Sequence, residues 1–241
     1  MRHKRAWPGL LLALIIAAQA APAAPLDDIG KALDTLAAEG PEQASDSAGI
    51  LTIPDNPAAP GFVVPPPPTP DVFGTRASPG RIDGKAGAQW LRVRDEGIDP
   101  PGLETLIGPV RRLKPLQQLG FVQARVNHRI PYRLDADWWG DEDYWATATE
   151  TIERNGGDCE DLAIVKLQAL RALGFPLDSL YLSIGRDTAR GDHALLLVRI
   201  ENRFFVLDDR NDRPIPADQF HSFVPVLTFV AGTEFVHGTA R

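Results

Sequence analysis

The chain holds one cysteine, Cys159. Gly156 and Gly157 precede it, Asp158, Glu160 and Asp161 flank it, and a helical pattern of apolar residues follows. A cysteine in the first turn of a helix is placed for nucleophilic work. The unpaired N–H groups of that turn favour an anion, and the thiolate is the reactive form of a thiol whose free pKa is about 8.5. The same N–H groups can later face a developing oxyanion. From the count alone, a buried inert thiol is the simpler reading; its neighbours argue for chemistry. The three carboxylates oppose a thiolate unless a cation neutralises them or they point away.

A thiol nucleophile needs a base. Beyond the N-terminal region the histidines are His128, His193, His221 and His237. His193 stands at the start of an apolar run, residues 194–198, where a strand would hold it rigidly. The others lie in turn-like or terminal segments. Asp208 and Asp209 close a second run, residues 204–208. If the two runs pair antiparallel through a turn at Glu201, Asn202 and Arg203, the end of the second lies beside the start of the first. The hairpin itself then brings Asp208 to His193 as the acid that orients it. Side-chain alternation sends Asp209 to the opposite face.

Asp141, Glu142, Asp143, Asp158, Glu160 and Asp161 make a second constellation, of hard oxygen donors suited to Ca²⁺. The competing reading is a solvated acidic face with helix-capping aspartates. An EF-hand starting at Asp135 fails, because Trp139 and Ala146 occupy positions that need oxygen ligands. The single cysteine and the scattered histidines argue against zinc. Trp138, Trp139, Tyr144 and Trp145 form an aromatic knot, either core or the wall of a cleft.

The elements that must position these groups read as helices followed by strands. Residues 88–94 suggest a short helix. Pro115 opens a better one, with Leu116, Leu119, Val122 and Val126 on one face and a turn from residue 127. Residues 144–154 suggest a helix with Trp145, Ala148 and Ile152 inward. Another starts at Cys159, with Leu162, Ala163, Leu167, Leu170 and Leu173 inward and Lys166 buried only by its stem. Gly174 and Pro176 stop it. Short β-rich runs follow at 179–185, 194–200, 204–208 and 224–230. This order argues an α+β fold, a helical lobe packed on an antiparallel sheet.

The N-terminus is built differently. Arg2, Lys4 and Arg5 precede a short apolar core, residues 10–16, and A-x-A sites at 18–20 and 21–23. This reads as a signal peptide over residues 1–23 and so as periplasmic export. An uncleaved anchor is the other reading, although the apolar part is shorter than the ~20 residues a span needs. Residues 24–71 read as a short helix (Leu26, Ile29, Leu33, Leu36) and a Pro-rich linker, largely disordered; residues 54–70 carry eight prolines. Residues 72–241 are the folded domain. Net charge is −7, with 32 acidic and 25 basic residues, which argues against a nucleic-acid partner.

Taken together, Trp138 and Trp139, the run Tyr144 to Thr147, the run Gly157 to Asp161 with Lys166, the pair Asp192 and His193, and the run Val206 to Asp208 resemble the bacterial transglutaminase-like cysteine peptidases, the family of the LapG periplasmic proteases. The resemblance covers about residues 72–236. It implies a papain/transglutaminase-like fold with Cys159 as nucleophile, His193 as base and Asp208 as orienting acid. It implies calcium dependence, with Asp158 and Glu160, and also Asp161, as ligands. It implies a protein substrate of the surface-adhesin type, control of biofilm release, and restraint by an inner-membrane cyclic di-GMP receptor. Asp209 stands where asparagine is common in the family, and the Pro-rich stretch is not part of its core. The expectation is an exported, calcium-dependent cysteine endopeptidase. A transglutaminase-type acyltransferase and a catalytically idle calcium-binding module are the rivals.

Overall fold

In the computed structural model, residues 66–97, 100–140, 143–189 and 191–239 are described. The expected signal peptide and most of the linker lie outside them, as do Asp141 and Glu142. Six helices precede most of the sheet: α1 (Gly84–Asp95), α2 (Pro100–Ile107), α3 (Pro115–Arg129), α4 (Asp135–Trp138), α5 (Ala148–Arg154) and α6 (Cys159–Ala172). Seven strands, β1 (Thr75–Gly80), β2 (Leu180–Asp187), β3 (Gly191–Ile200), β4 (Arg203–Leu207), β5 (Ile215–Pro216), β6 (Phe223–Val230) and β7 (Thr233–Thr239), form one sheet in the order β1-β7-β6-β2-β3-β4-β5. Every pairing is antiparallel. The α+β architecture expected from the sequence is the one observed. None of the described helices is long and apolar enough to cross a membrane.

Both faces of the sheet are covered, and this decides how the central strands read. On one face Leu180, Leu182, Leu196, Val198, Leu207 and Phe229 pack under the helices. On the other, Tyr181, Leu195, Leu197, Val206 and Val230 pack with Val72, Phe220 and Phe235. Strands buried on both faces lose polar alternation and become continuous apolar runs. The run Ala194 to Val198 is that pattern.

Helix α6 is central. It packs on β3 and against α2, α3 and α5, so every position from Asp161 to Leu170 is buried. The expected amphipathic helix is therefore buried all round, and Lys166 is 1% exposed along its whole side chain, not only by its stem. Helix α3 runs on to Arg129, two residues past the turn expected from residue 127. Its Leu116 is 51% exposed, while Leu119, Val122 and Val126 are buried as expected. Helix α5 starts at Ala148, not Tyr144. Thr147 caps it, accepting from the Glu150 backbone N–H while the Glu150 side chain accepts from the Thr147 N–H.

One glycine is required by a close approach. Gly185 pairs with His193 on β3 and with Pro225 on β6, beside a break in the β2–β6 register. A Cβ there would strike the Val224 carbonyl and come within 2.7 Å of the Pro225 Cα, both backbone. Gly185→Ala is expected to lower stability by about 1–3 kcal/mol, read as a reduced melting temperature.

Candidate active site

Cys159 is the first residue of α6, and Asp158 is its N-cap. Gly157 makes that placement possible. The N–H of Gly157 donates to Pro131 O (3.3 Å), and its carbonyl accepts from Arg133 N–H (2.8 Å), in a parallel bridge opposite Tyr132. A side chain at Gly157 would collide with the Asp161 carboxylate. The thiol is half-buried and donates to Glu160 Oε2 at 3.0 Å. Burial first, then the charges of Glu160 and Asp158, push its pKa well up; the Ala194 N–H acts the other way. The residue that follows His193 is thus close enough for its N–H to favour the thiolate.

His193 and Asp208 are brought together. Strand β4 pairs with β3 in the register Leu196 to Leu207, which carries the residue after Leu207 toward the start of β3. His193 Nε2 lies 2.9 Å from Asp208 Oδ1, and both side chains are almost wholly buried. The ring stands edge-on to Phe223 at 6.1 Å. With Nε2 committed to the acid, Nδ1 is left as the nitrogen for the thiol; it is buried and has no hydrogen-bond partner among the described residues. Asp208 is itself gripped. Its Oδ2 accepts from Asn211 Nδ2 (2.9 Å), and its carbonyl accepts from Gln123 (2.6 Å) and Asn127 (3.1 Å) on α3. Burial alone would raise the Asp208 carboxyl; hydrogen bonds from His193 and Asp209 overrule it and hold it well below the usual carboxylate range.

Asp209 does not point to the opposite face. Strand β4 ends at Leu207, so alternation no longer governs the two aspartates. Asp209 Oδ1 lies 3.5 Å from His193 Nε2. Burial, then the neighbouring Asp208, push Asp209 up to about 6. Lys166, two turns along α6 from Cys159, is fully buried. Burial pulls its pKa down to about 8 against the charges of Asp209, Asp208, Asp212 and Cys159. The buried ammonium is the counter-charge to two carboxylates at one imidazole. A charged residue within the otherwise uncharged run 162–170 is the sequence signal for it.

The acids around the nucleophile fall into two groups. Asp158 and Glu160 gather with Cys159 itself. Asp158 and Asp161 gather with Asp135, all three buried, with donor oxygens within 4.8 Å of one another. Asp135 was considered in the sequence only as the start of a rejected EF-hand. The bridge between Tyr132 and Gly157 joins its segment to the nucleophile loop. Asp161 Oδ1 accepts from Ala146 N–H at 2.6 Å. Asp158 Oδ1 and Asp161 Oδ2 are buried with no hydrogen-bond partner among the described residues, and no lysine or arginine there pairs with either carboxylate. Burial, then Glu160, push Asp158 up to about 10; burial also pushes Asp161 up to about 8. A trio of buried carboxylates, two of which (Asp158 and Asp161) keep an oxygen without a partner, fits a bound hard cation, and an all-oxygen donor set suits calcium. The aromatic knot is divided. Trp145 is core against Phe229, whereas Trp139 stacks on Tyr144 and carries Arg154 over its ring at 3.8 Å.

Residues 110–219 match the family described as bacterial transglutaminase-like cysteine proteinase BTLCP. None of the curated proteins matches the chain. Among solved structures it is similar to Legionella pneumophila LapG (calcium-bound), at 26% identity and a TM-score of 0.49, over 64% of this chain and 81% of that one. EGTA-treated Legionella pneumophila LapG is similar at 26% identity and a TM-score of 0.49, over 65% and 87%. A protein described as a TGase is similar at 13% identity and a TM-score of 0.38, over 57% and 45%. Cys159, His193 and Asp208 all fall within the matched stretch, so the domain spanning residues 110–219 belongs to the bacterial transglutaminase-like cysteine proteinases, and the protein is a cysteine peptidase.

Proposed function

We propose that Cys159, His193 and Asp208 form the catalytic triad of an exported, calcium-dependent endopeptidase. The carrying observation is the buried His193–Asp208 pair, whose remaining ring nitrogen is unpaired at the strand end that meets the N-terminus of α6. In the proposed reaction His193 takes the thiol proton and Cys159 sulfur attacks the peptide carbonyl. The tetrahedral adduct collapses with cleavage of the C–N bond, and the imidazolium returns its proton to the leaving amine. Water then attacks the thioester with His193 as base, releasing the acid and restoring the thiol. Asp208 holds the ring in the tautomer this sequence needs.

Asp135, Asp158 and Asp161 are the residues that would hold calcium. When bound there, the ion would neutralise the carboxylates that otherwise keep the thiol protonated and would fix the loop carrying Cys159. The resemblance supports a large surface adhesin as substrate, biofilm release as the outcome, and an inner-membrane cyclic di-GMP receptor as regulator. The basic–apolar–A-x-A pattern of residues 1–23 supports periplasmic export.

Cys159→Ala tests the core of this reading. The variant is expected to keep its melting temperature and lose cleavage of both a peptide substrate and a co-expressed adhesin fragment. Cleavage of the peptide by the alanine protein would rule out the thiol mechanism. A peptide cut by the wild type with the adhesin fragment left whole would rule out the adhesin assignment alone.

A further inference from the structure

Acyl transfer at Cys159 needs more than a nucleophile and a base. When the C–S bond forms, the carbonyl π pair moves to oxygen, and that oxyanion is best met by two donors. One is on hand: the backbone N–H of Cys159, at the first position of α6, has no partner within the helix. The second is not supplied by the groups already assigned. Asp158 and Glu160 are acceptors when ionised, His193 serves as base, and the Ala194 N–H acts on the sulfur itself.

We infer that the hydroxyl of Tyr132 is the second oxyanion donor, a catalytic residue of this peptidase. The inference rests on the reading of Cys159 as nucleophile and extends it. Tyr132 is tied to the nucleophile loop by its backbone, sitting in the parallel bridge opposite Gly157, two residues before Cys159, with hydrogen bonds on either side. Pro131 precedes it and stiffens the approach. The backbone of Tyr132 is thereby held beside the loop that carries the sulfur.

Its surroundings agree. Tyr132 is 48% exposed although it adjoins a buried centre, as a group that must meet substrate has to be. Among the described residues its hydroxyl makes no hydrogen bond, so the donor is unspent. Burial, then the charges of Cys159, Asp158, Asp209 and Glu160, push the phenol upward. Those charges belong to the N-terminus of α6 and the turn after β4, and they keep the phenol protonated. The other unpaired donors of this segment, the indole N–H groups of Trp138 and Trp139, belong to rings that stack with Arg133 and Arg154.

In the proposed step Tyr132 O–H and Cys159 N–H donate to the oxyanion without giving up their protons. When the carbonyl re-forms and the C–N bond breaks, the electron pair leaves on nitrogen and is protonated from His193. Tyr132 contributes no atom to the product. Its effect is confined to the states with negative oxygen, so it belongs to kcat and not to substrate binding.

The test uses Tyr132→Phe in the full-length, calcium-loaded protein, on a quenched fluorescent peptide that the wild type cuts. The expected result is a fall of about 10²-fold in kcat with KM changed by less than about twofold. A peptide aldehyde, whose thiol adduct carries an oxygen at the oxyanion position, should bind more weakly by a similar factor. Alkylation of Cys159 by iodoacetamide, which makes no oxyanion, should keep its rate. Tyr132→Gln retains a side-chain donor and should recover at least about tenfold of the lost kcat. A phenylalanine variant with wild-type kcat, or one that loses alkylation in parallel with kcat, would overturn the assignment. Cys159→Ala measured alongside separates the two layers. An active alanine variant removes the thiol mechanism, whereas an inactive one beside a full-rate phenylalanine variant removes only the role of Tyr132.

Discussion

Asp208→Asn is expected to lower kcat/KM by about 10⁴-fold, and Asp209→Asn to change it by less than about tenfold. Both carboxylates face the same nitrogen of His193, so proximity alone does not rank them. Three observations do. The first is distance: 2.9 Å for Asp208 against 3.5 Å for Asp209. The second is restraint. Asp208 is held by Asn211 through its side chain and by Gln123 and Asn127 through its carbonyl, so its oxygen arrives with little freedom left to lose. Asp209 shares Arg210 at 3.8 Å, and Arg210 also reaches Asp187 at 3.2 Å. The third is charge. Asp208 is held ionised across the neutral range, whereas Asp209, pushed up to about 6, carries a proton part of the time near neutrality. Only the permanently charged, fixed acid can stabilise an imidazolium and hold Nδ1 free for the thiol. An amide at 208 would offer N–H to Nε2 and favour the wrong tautomer. An amide at 209 removes a charge that Asp208 supplies in any case. Steady-state cleavage by the two variants, each with an unchanged melting temperature, checks this. Equal losses would mean that the two acids act as a unit, and a larger loss at 209 would exchange their roles.

The parts of this arrangement visible in the sequence are those built from contiguous pattern. The helix at Cys159 shows apolar periodicity and a glycine–proline stop, and it was found within a residue or two. The β3–β4 hairpin shows two apolar runs around a polar turn, and the pairing of His193 with Asp208 follows from that geometry. Strands β1 and β7 were missed because Thr75–Gly80 carries a proline, an arginine and a glycine and is largely exposed. β1 is a strand because it pairs with β7 at the sheet edge, and β7 because it is held between β1 and β6, nonlocal causes that periodicity cannot register. Helix α2 begins with two prolines and a glycine, which read as a break.

The site residues divide along the same line. Asp135 lies 23 positions before Asp158, and the two meet only because a single bridge, Tyr132 to Gly157, joins segments that no local pattern connects. Asp209 was assigned by alternation, a rule that holds only inside a strand, and the strand ends one residue before the acid pair begins. Lys166 reads as a snorkelling side chain only if one face of α6 points outward. The composition of the helix holds the correction: Leu162, Ala163, Ile164 and Val165 run consecutively, then Leu167, Ala169 and Leu170, and Gln168 between them is buried on the Val93 carbonyl, so no face is left for water.

Chelation with EGTA is expected to abolish cleavage and to lower the melting temperature by about 5–10 °C. A ligand present at a hundredfold over its Kd stabilises by about 2.7 kcal/mol, and a domain of this size shifts by about 2–4 °C per kcal/mol. The physical ground is the trio Asp135, Asp158 and Asp161. Each carboxylate has been taken out of water beside two others, and Asp158 and Asp161 each keep a buried oxygen without a partner. Repulsion of that kind costs stability unless an external cation offsets it, so cation removal should act on folding and catalysis together. Asp161→Asn separates this from a general effect of chelator. It removes one charge while keeping an acceptor for the Ala146 N–H, so the variant should resemble the EGTA-treated protein and gain little from added calcium. Glu160→Gln should behave differently. Glu160 touches the thiol and lies outside the buried trio, so its loss should alter the alkylation rate of Cys159 while preserving most of the calcium-dependent rise in melting temperature. A wild-type protein whose melting curve and activity both survive EGTA would remove the cation from the mechanism. If Glu160→Gln lost the calcium response while Asp161→Asn kept it, the metal would belong to the pair beside the sulfur instead of the aspartates beneath it.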